Sequence, residues 1–161
     1  MNNVTYISYS VMITTARKST LLFFNLLFTN CKKINMKSIL LIEDNIDILE
    51  NLAEYLELEG YQTFSTNNGE RGIEMALEFM PDLIICDMPS PGIDGRKVLS
   101  LLLNTSGTCQ IPFIFCTTLC EKINKQQALD QGADDYIIKP FHLEQILEKV
   151  KACMISGSKR Q

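Results

Sequence analysis

Leu83-Ile84-Ile85-Cys86-Asp87 is a run of four apolar residues that ends in a carboxylate, and Pro89-Ser90-Pro91-Gly92 behind it breaks the chain. A continuous apolar run of that length between breakers predicts a fully buried strand. Its last residue then emerges at the strand's carboxyl end, facing whatever site lies there. An Asp delivered by a buried strand is a candidate nucleophile or metal ligand, so the reading turns on what the other strands deliver beside it.

Upstream, Ser38-Ile39-Leu40-Leu41-Ile42 is a second apolar strand, and it ends in Glu43-Asp44. Asn45 can cap a helix with Ile46, Leu49, Leu52, Ala53 and Leu56 inward, stopping at Gly60. Residues 61–65 form a shorter, half-polar strand suited to an edge of the sheet. Asn67-Asn68-Gly69 turns into a helix with Ile73, Ala76 or Leu77, and Met80 inward, stopped by Pro81. Downstream of the opening strand, Asp94 caps a helix with Val98, Leu99 and Leu102 inward. Pro112-Phe113-Ile114-Phe115-Cys116 is the fourth strand and delivers Thr117. A helix with a thin apolar face is expected over about 121–131, ended by Gly132. Tyr136-Ile137-Ile138 is the fifth strand and delivers Lys139, and a last amphipathic helix runs through Leu143, Ile146, Leu147 and Val150.

Five alternations of strand and helix predict an α/β fold, a doubly wound parallel sheet with helices on both faces. Sites in such sheets form outside the carboxyl ends of strands. Glu43, Asp44, Asp87, Thr117 and Lys139 all emerge on that edge, and no comparable set marks the amino edge.

The charge balance narrows the partners. Residues 1–35 hold four basic residues (Arg17, Lys18, Lys32, Lys33) and no acidic one; of the chain's 15 basic and 19 acidic residues this leaves 11 and 19 from Met36 onward, a net of −8. An acidic domain is a poor general binder of nucleic acid, whose phosphates must be met by Lys and Arg. The six cysteines lack metal-type spacing, and Cys86 and Cys116 lie inside apolar runs, which predicts reduced thiols in a cytoplasmic protein. His142 is the only histidine, so a zinc site or a histidine-based triad has little to draw on.

Residues 1–35 do not conform to the rest. Their apolar patch, Leu21 to Phe28, is far shorter than the about 20 residues a bilayer span needs. The leading expectation is a disordered extension or a start site that belongs at Met36, ahead of a peripheral membrane anchor, which basic and aromatic residues would suit, and of a partner-binding helix; 36–155 is then the domain and 156–161 a short tail.

Three carboxylates in one cleft repel one another unless a cation neutralises them. Hard oxygen ligands without His or Cys suit Mg²⁺, which keeps waters and accepts a phosphate oxygen. A carboxylate beside such an ion can attack phosphorus and form an acyl phosphate, while a lysine and a hydroxyl balance charge on the transferred group.

Residues 37 to about 153 resemble the receiver domain of bacterial two-component response regulators. The resemblance rests on Leu40-Leu41-Ile42-Glu43-Asp44-Asn45, Asp87 with Pro91-Gly92-Ile93-Asp94-Gly95, Thr117, Gly132-Ala133-Asp134-Asp135-Tyr136, and Lys139-Pro140-Phe141 in order. It implies a flavodoxin-like three-layer sandwich with strand order 2-1-3-4-5, like a stand-alone chemotaxis receiver. It also implies that Asp87 is the phosphoacceptor, that Asp44 binds Mg²⁺ directly and Glu43 through water, and that the Pro89 carbonyl is a further ligand. Lys139 would pair with Asp87 and then with the phosphoryl group, which Thr117 would also hydrogen-bond. Tyr136 would follow Thr117 inward and change the surface made by the fourth helix, fifth strand and fifth helix. The implied partners are a sensor histidine kinase or phosphotransfer protein and a downstream protein target, and the implied role is a signalling switch rather than an enzyme on outside substrates.

Some positions depart from the family. Ser90 stands where Met is common, and Thr118 stands where a small Ala or Gly is common, close to the expected phosphoryl position. Pro89 and Leu119, both apolar, occupy the positions that tune hydrolysis, so a long-lived acyl phosphate is expected. Asp134-Asp135 reads as a turn device and solvated charge. Three rivals share part of the pattern. A haloacid-dehalogenase-like phosphatase would need a second Asp where Pro89 stands. A flavodoxin-like flavin carrier would need a phosphate loop after the first strand. The third rival is a receiver fragment of a transcription regulator without its DNA-binding domain.

Overall fold

The computed structural model describes residues 36–88, 94–118 and 130–157. The elements run β1 (Ser38–Ile42), α1 (Ile46–Leu58), β2 (Gln62–Thr66), α2 (Gly69–Phe79), β3 (Leu83–Met88), α3 (Gly95–Leu103), β4 (Phe113–Thr118), β5 (Asp135–Lys139) and α4 (Leu143–Ser156). All but the last two residues of the helix expected over about 121–131 lie outside the described residues, as do residues 1–35 and 158–161.

All pairings are parallel, and the sheet order is β2-β1-β3-β4-β5. The half-polar strand is therefore at an edge, while β3, buried at all six positions, is at the centre. Although β1 and β3 read as unbroken apolar runs, their side chains alternate between two cores. Leu40, Ile42, Ile84 and Cys86 pack against Met75 and Ala76 of α2 and Val98, Leu99 and Leu102 of α3. Ile39, Leu41, Leu83 and Ile85 pack against Leu49, Leu52 and Leu56 of α1 and Ile146, Val150 and Cys153 of α4. A sheet with both faces covered in this way has no use for polar alternation in its central strands.

Capping follows the sequence. The Asn45 side chain accepts from the Ile48 amide, that of Asn68 from Arg71, and that of Asp94 from Arg96 and Lys97. Three apolar residues expected inside are outside: Ile46, Leu77 and Met80 are 55%, 46% and 48% exposed. Ile46 opens its helix, where a side chain leans back beyond the end of β1 and meets no layer. Met80 is the C-cap in a left-handed conformation, so helical spacing no longer predicts its direction. Ala76 takes the inward place that Leu77 could have held, because Gly72 brings α2 directly onto the Ile42 side chain.

The amino edge of the sheet carries no comparable site cluster among the described residues, but it holds two aspartate clasps. The Asp82 carboxylate accepts the Ser38 amide at 2.8 Å while the Asp82 amide donates to the Ser38 carbonyl at 2.9 Å. Asp134 repeats the device, accepting from the Phe113 amide and donating to its carbonyl, each at 2.9 Å. The reading of Asp134-Asp135 as solvated charge is thus corrected: Asp134 is 2% exposed, and Asp135 is held by Lys149 at 2.8 Å. Each aspartate just precedes a strand and clasps the first residue of the neighbouring one, satisfying amides that the ladder leaves unpaired.

Candidate functional site

At the carboxyl edge, β1 hands the chain to Glu43 and Asp44, β3 carries Asp87, β4 carries Thr117 and β5 ends on Lys139. Glu43, Asp87 and Thr117 are buried, and Asp44 is half-buried. Ligand oxygens of Glu43, Asp44 and Asp87 all lie within 4.8 Å of one another. The order β1-β3-β4-β5 makes this possible, since the ends of four adjacent strands converge on one edge.

Lys139 is the counter-charge. Its Nζ donates to both Glu43 oxygens at 2.8 and 2.6 Å and lies 2.9 Å from Asp87 Oδ1. Asp87 Oδ1 also accepts the Met88 amide at 2.9 Å. The pairing of Lys139 with Glu43 is the feature that sequence reasoning missed. The partners are 96 residues apart, and only the strand order reveals that a lysine stem on β5 reaches across to the end of β1.

Burial pushes the Glu43 carboxyl up from its ordinary range, and the neighbouring Asp87 charge adds to this, while Lys139 opposes it. Burial acts to lower the Lys139 pKa, but its bonds to Glu43 and Asp87 outweigh that and hold it above the ordinary lysine value. Among the described residues, one ammonium against three carboxylates leaves the cluster short of positive charge. The donors are all carboxylate oxygens. The thiols beside them do not compete: burial keeps those of Cys86 and Cys116 protonated, well above the ordinary thiol range. Cys86, Cys109 and Cys116 are free thiols. The donor set therefore fits a small hard cation such as Mg²⁺.

Gly95, in the first turn of α3, sets how closely that helix approaches. A Cβ there would lie 2.5 Å from the Asp87 carbonyl oxygen. Tyr136 is half-buried against the α2–α3 core, and the exposed Thr118 pairs in register with Lys139. Pro89, Ser90 and Leu119 lie outside the described residues.

A family model for the response regulator receiver domain matches residues 39–151. The chain is 36% identical over 119 residues to the DNA-binding dual master transcriptional regulator RpaA of Synechocystis, covering 74% of this chain and 49% of that protein. It is 36% identical over 118 residues to the phosphate regulon transcriptional regulatory protein PhoB of Pseudomonas aeruginosa, covering 73% and 52%. The chain spans about half the length of these curated relatives. Among solved structures, the signal receiver domain of a signal transduction histidine kinase from Syntrophus aciditrophicus matches with a TM-score of 0.68 at 31% identity, covering 78% of this chain and 95% of that one. A sensor histidine kinase receiver domain from Pseudomonas aeruginosa, solved with a magnesium ion coordinated in its active-site cleft, matches with a TM-score of 0.67 at 23% identity, covering 74% and 98%. At that identity the likeness shows the fold alone.

Proposed function

The chain belongs to the response regulator receiver domain family, and from that premise we propose that Asp87 is its phosphoacceptor. In this reading a carboxylate oxygen of Asp87 attacks the phosphorus of a phosphohistidine, the bond from phosphorus to the imidazole nitrogen breaks, and an acyl phosphate remains on Asp87. The observation that carries it is the convergence of three carboxylates with one lysine that already bonds two of them.

Asp44, Glu43, Asp87 and the Pro89 carbonyl would hold Mg²⁺. When bound, the ion would neutralise the carboxylates and draw charge from the phosphoryl oxygens. Lys139 exchanges part of its bonding from Asp87 to the transferred group, and the Thr117 hydroxyl donates to a phosphoryl oxygen. Tyr136 follows Thr117, altering the surface formed by β5, α4 and the helix expected over 121–131. The donor is a histidine kinase or phosphotransfer protein, and the reader of that surface is a downstream protein. The net charge of −8 from Met36 onward argues against direct contact of this domain with nucleic acid. No helix among the described residues is long and apolar enough to cross a membrane, which fits a cytoplasmic site of action. The domain acts on no outside substrate, and its working unit is 36–155; mass spectrometry of the native amino terminus tests whether Met36 is the start.

The chemistry is tested with a small phosphodonor such as acetyl phosphate. The expected result is a Mg²⁺-dependent gain of one hydroxylamine-labile phosphoryl group per chain, absent in Asp87→Ala. Equal labelling of the variant overturns the assignment. The label is expected to outlast minutes in Mg²⁺ buffer without a phosphatase, because Pro89 and Leu119 are apolar.

A further inference from the structure

We infer that Lys149 is a positioning residue that latches the Tyr136 ring in the unphosphorylated state. The Lys149 ammonium bonds both carboxylate oxygens of Asp135 at 2.8 Å and stands over the Tyr136 ring, 5.5 Å from its centroid. Asp135 Oδ1 also accepts the Tyr136 amide at 2.8 Å. One carboxylate therefore fixes both the backbone of Tyr136 and the cation above its ring. Tyr136 also packs against the core that contains Phe113, Phe115 and Ala133.

An exposed helix lysine is ordinarily a solvated charge. Lys149 differs because two near-equal bonds hold its ammonium, and because α4 carries it while β5 carries the ring. A cation over a tyrosine face is attracted by the ring quadrupole, so the ring is held where it now lies. Any movement of the ring that leaves this place gives up that attraction. Tyr136 and Lys149 also line one wall of a cavity of about 650 Å³ with Ile138, Pro140, Glu148 and Ala152. Release of the ring would therefore reshape that groove directly.

The inference rests on the reading that Tyr136 moves between two states, and the test separates the two. Fluorotyrosine is incorporated into the full chain, whose five tyrosines are resolved by fluorine NMR and assigned for Tyr136 with Tyr136→Phe. Beryllofluoride with Mg²⁺ serves as the phosphoryl mimic. The expected outcome is that the Tyr136 resonance moves on adding the mimic, and that Lys149→Met binds the mimic about two- to fivefold more tightly than the wild type. Lys149→Arg restores the wild-type value, Asp135→Asn behaves like Lys149→Met, and the gain vanishes in a Tyr136→Ala background. If the resonance moves but Lys149→Met gains nothing, or gains as much without Tyr136, the latch is overturned while the switch stands. If the wild-type resonance does not move, the switch reading fails and takes the latch with it. Thermal melts of each variant confirm that it is folded.

Discussion

Lys139 shows how much one side chain decides. Its side chain is 14% exposed and its ammonium is shared between Glu43 and Asp87, so the apo site is partly neutralised from within. Because its folded pKa is raised above the ordinary lysine value, its contribution to stability is fully present below that value and is lost as pH rises through the folded one. Removing the Glu43 charge lowers the folded value. The alkaline loss of stability in Glu43→Gln, measured from its own neutral-pH value, should therefore be smaller than that of the wild type; melting temperatures between about pH 8 and pH 12 read this directly, and losses of equal depth would sink the account. Gly95 makes a second residue-scale case. The methyl of Gly95→Ala collides with the Asp87 carbonyl, so the variant should lose about 1–3 kcal/mol of stability in denaturant titration. Unchanged stability would mean that α3 moves away freely.

At the scale of elements, strands and helices were legible because apolar runs, caps and breakers agree with one another. Asn45, Asn68 and Asp94 all cap as read, and the polar strand is at the edge. The two clasps were illegible. Asp82 and Asp134 look like ordinary turn residues, and only the strand order shows which amide each can reach. They should differ in weight. Asp134 is buried, so Asp134→Ala strands the Phe113 amide away from water and should cost about 1–3 kcal/mol. Asp82 is one-third exposed and shares its load with Lys37, so Asp82→Ala should cost less. Burial works against the Asp82 charge, but bonds from Lys37 and Ser38 hold its carboxyl below the ordinary range. Its contribution is thus present at neutral pH and lost as pH falls through the folded value. Denaturant titrations of both variants at neutral pH check the ranking, and an equal or reversed order would contradict it.

For the whole molecule, the parallel sheet is what makes the acidic site both possible and unfavourable. Residues far apart in the chain are brought to one edge because β1 and β3 are adjacent and β5 ends within reach. The same arrangement gathers three carboxylates that the unfolded chain keeps apart, and among the described residues one lysine, Lys139, answers them. The sequence identified the acidic groups, since each follows an apolar strand; it could not weigh their repulsion, which depends on separations that only the fold sets. A cation bound by this cluster stabilises the folded domain by mass action, because the unfolded chain has no such site. The melting temperature should therefore rise with Mg²⁺ concentration. Asp44→Asn should melt higher than the wild type without Mg²⁺, since one like charge is gone, and should respond less to added Mg²⁺, since one ligand is gone. Both changes are read in a single series of calorimetric melts. An Asp44→Asn domain that is less stable without the ion, or equally responsive to it, would remove Asp44 from the cluster's charge balance.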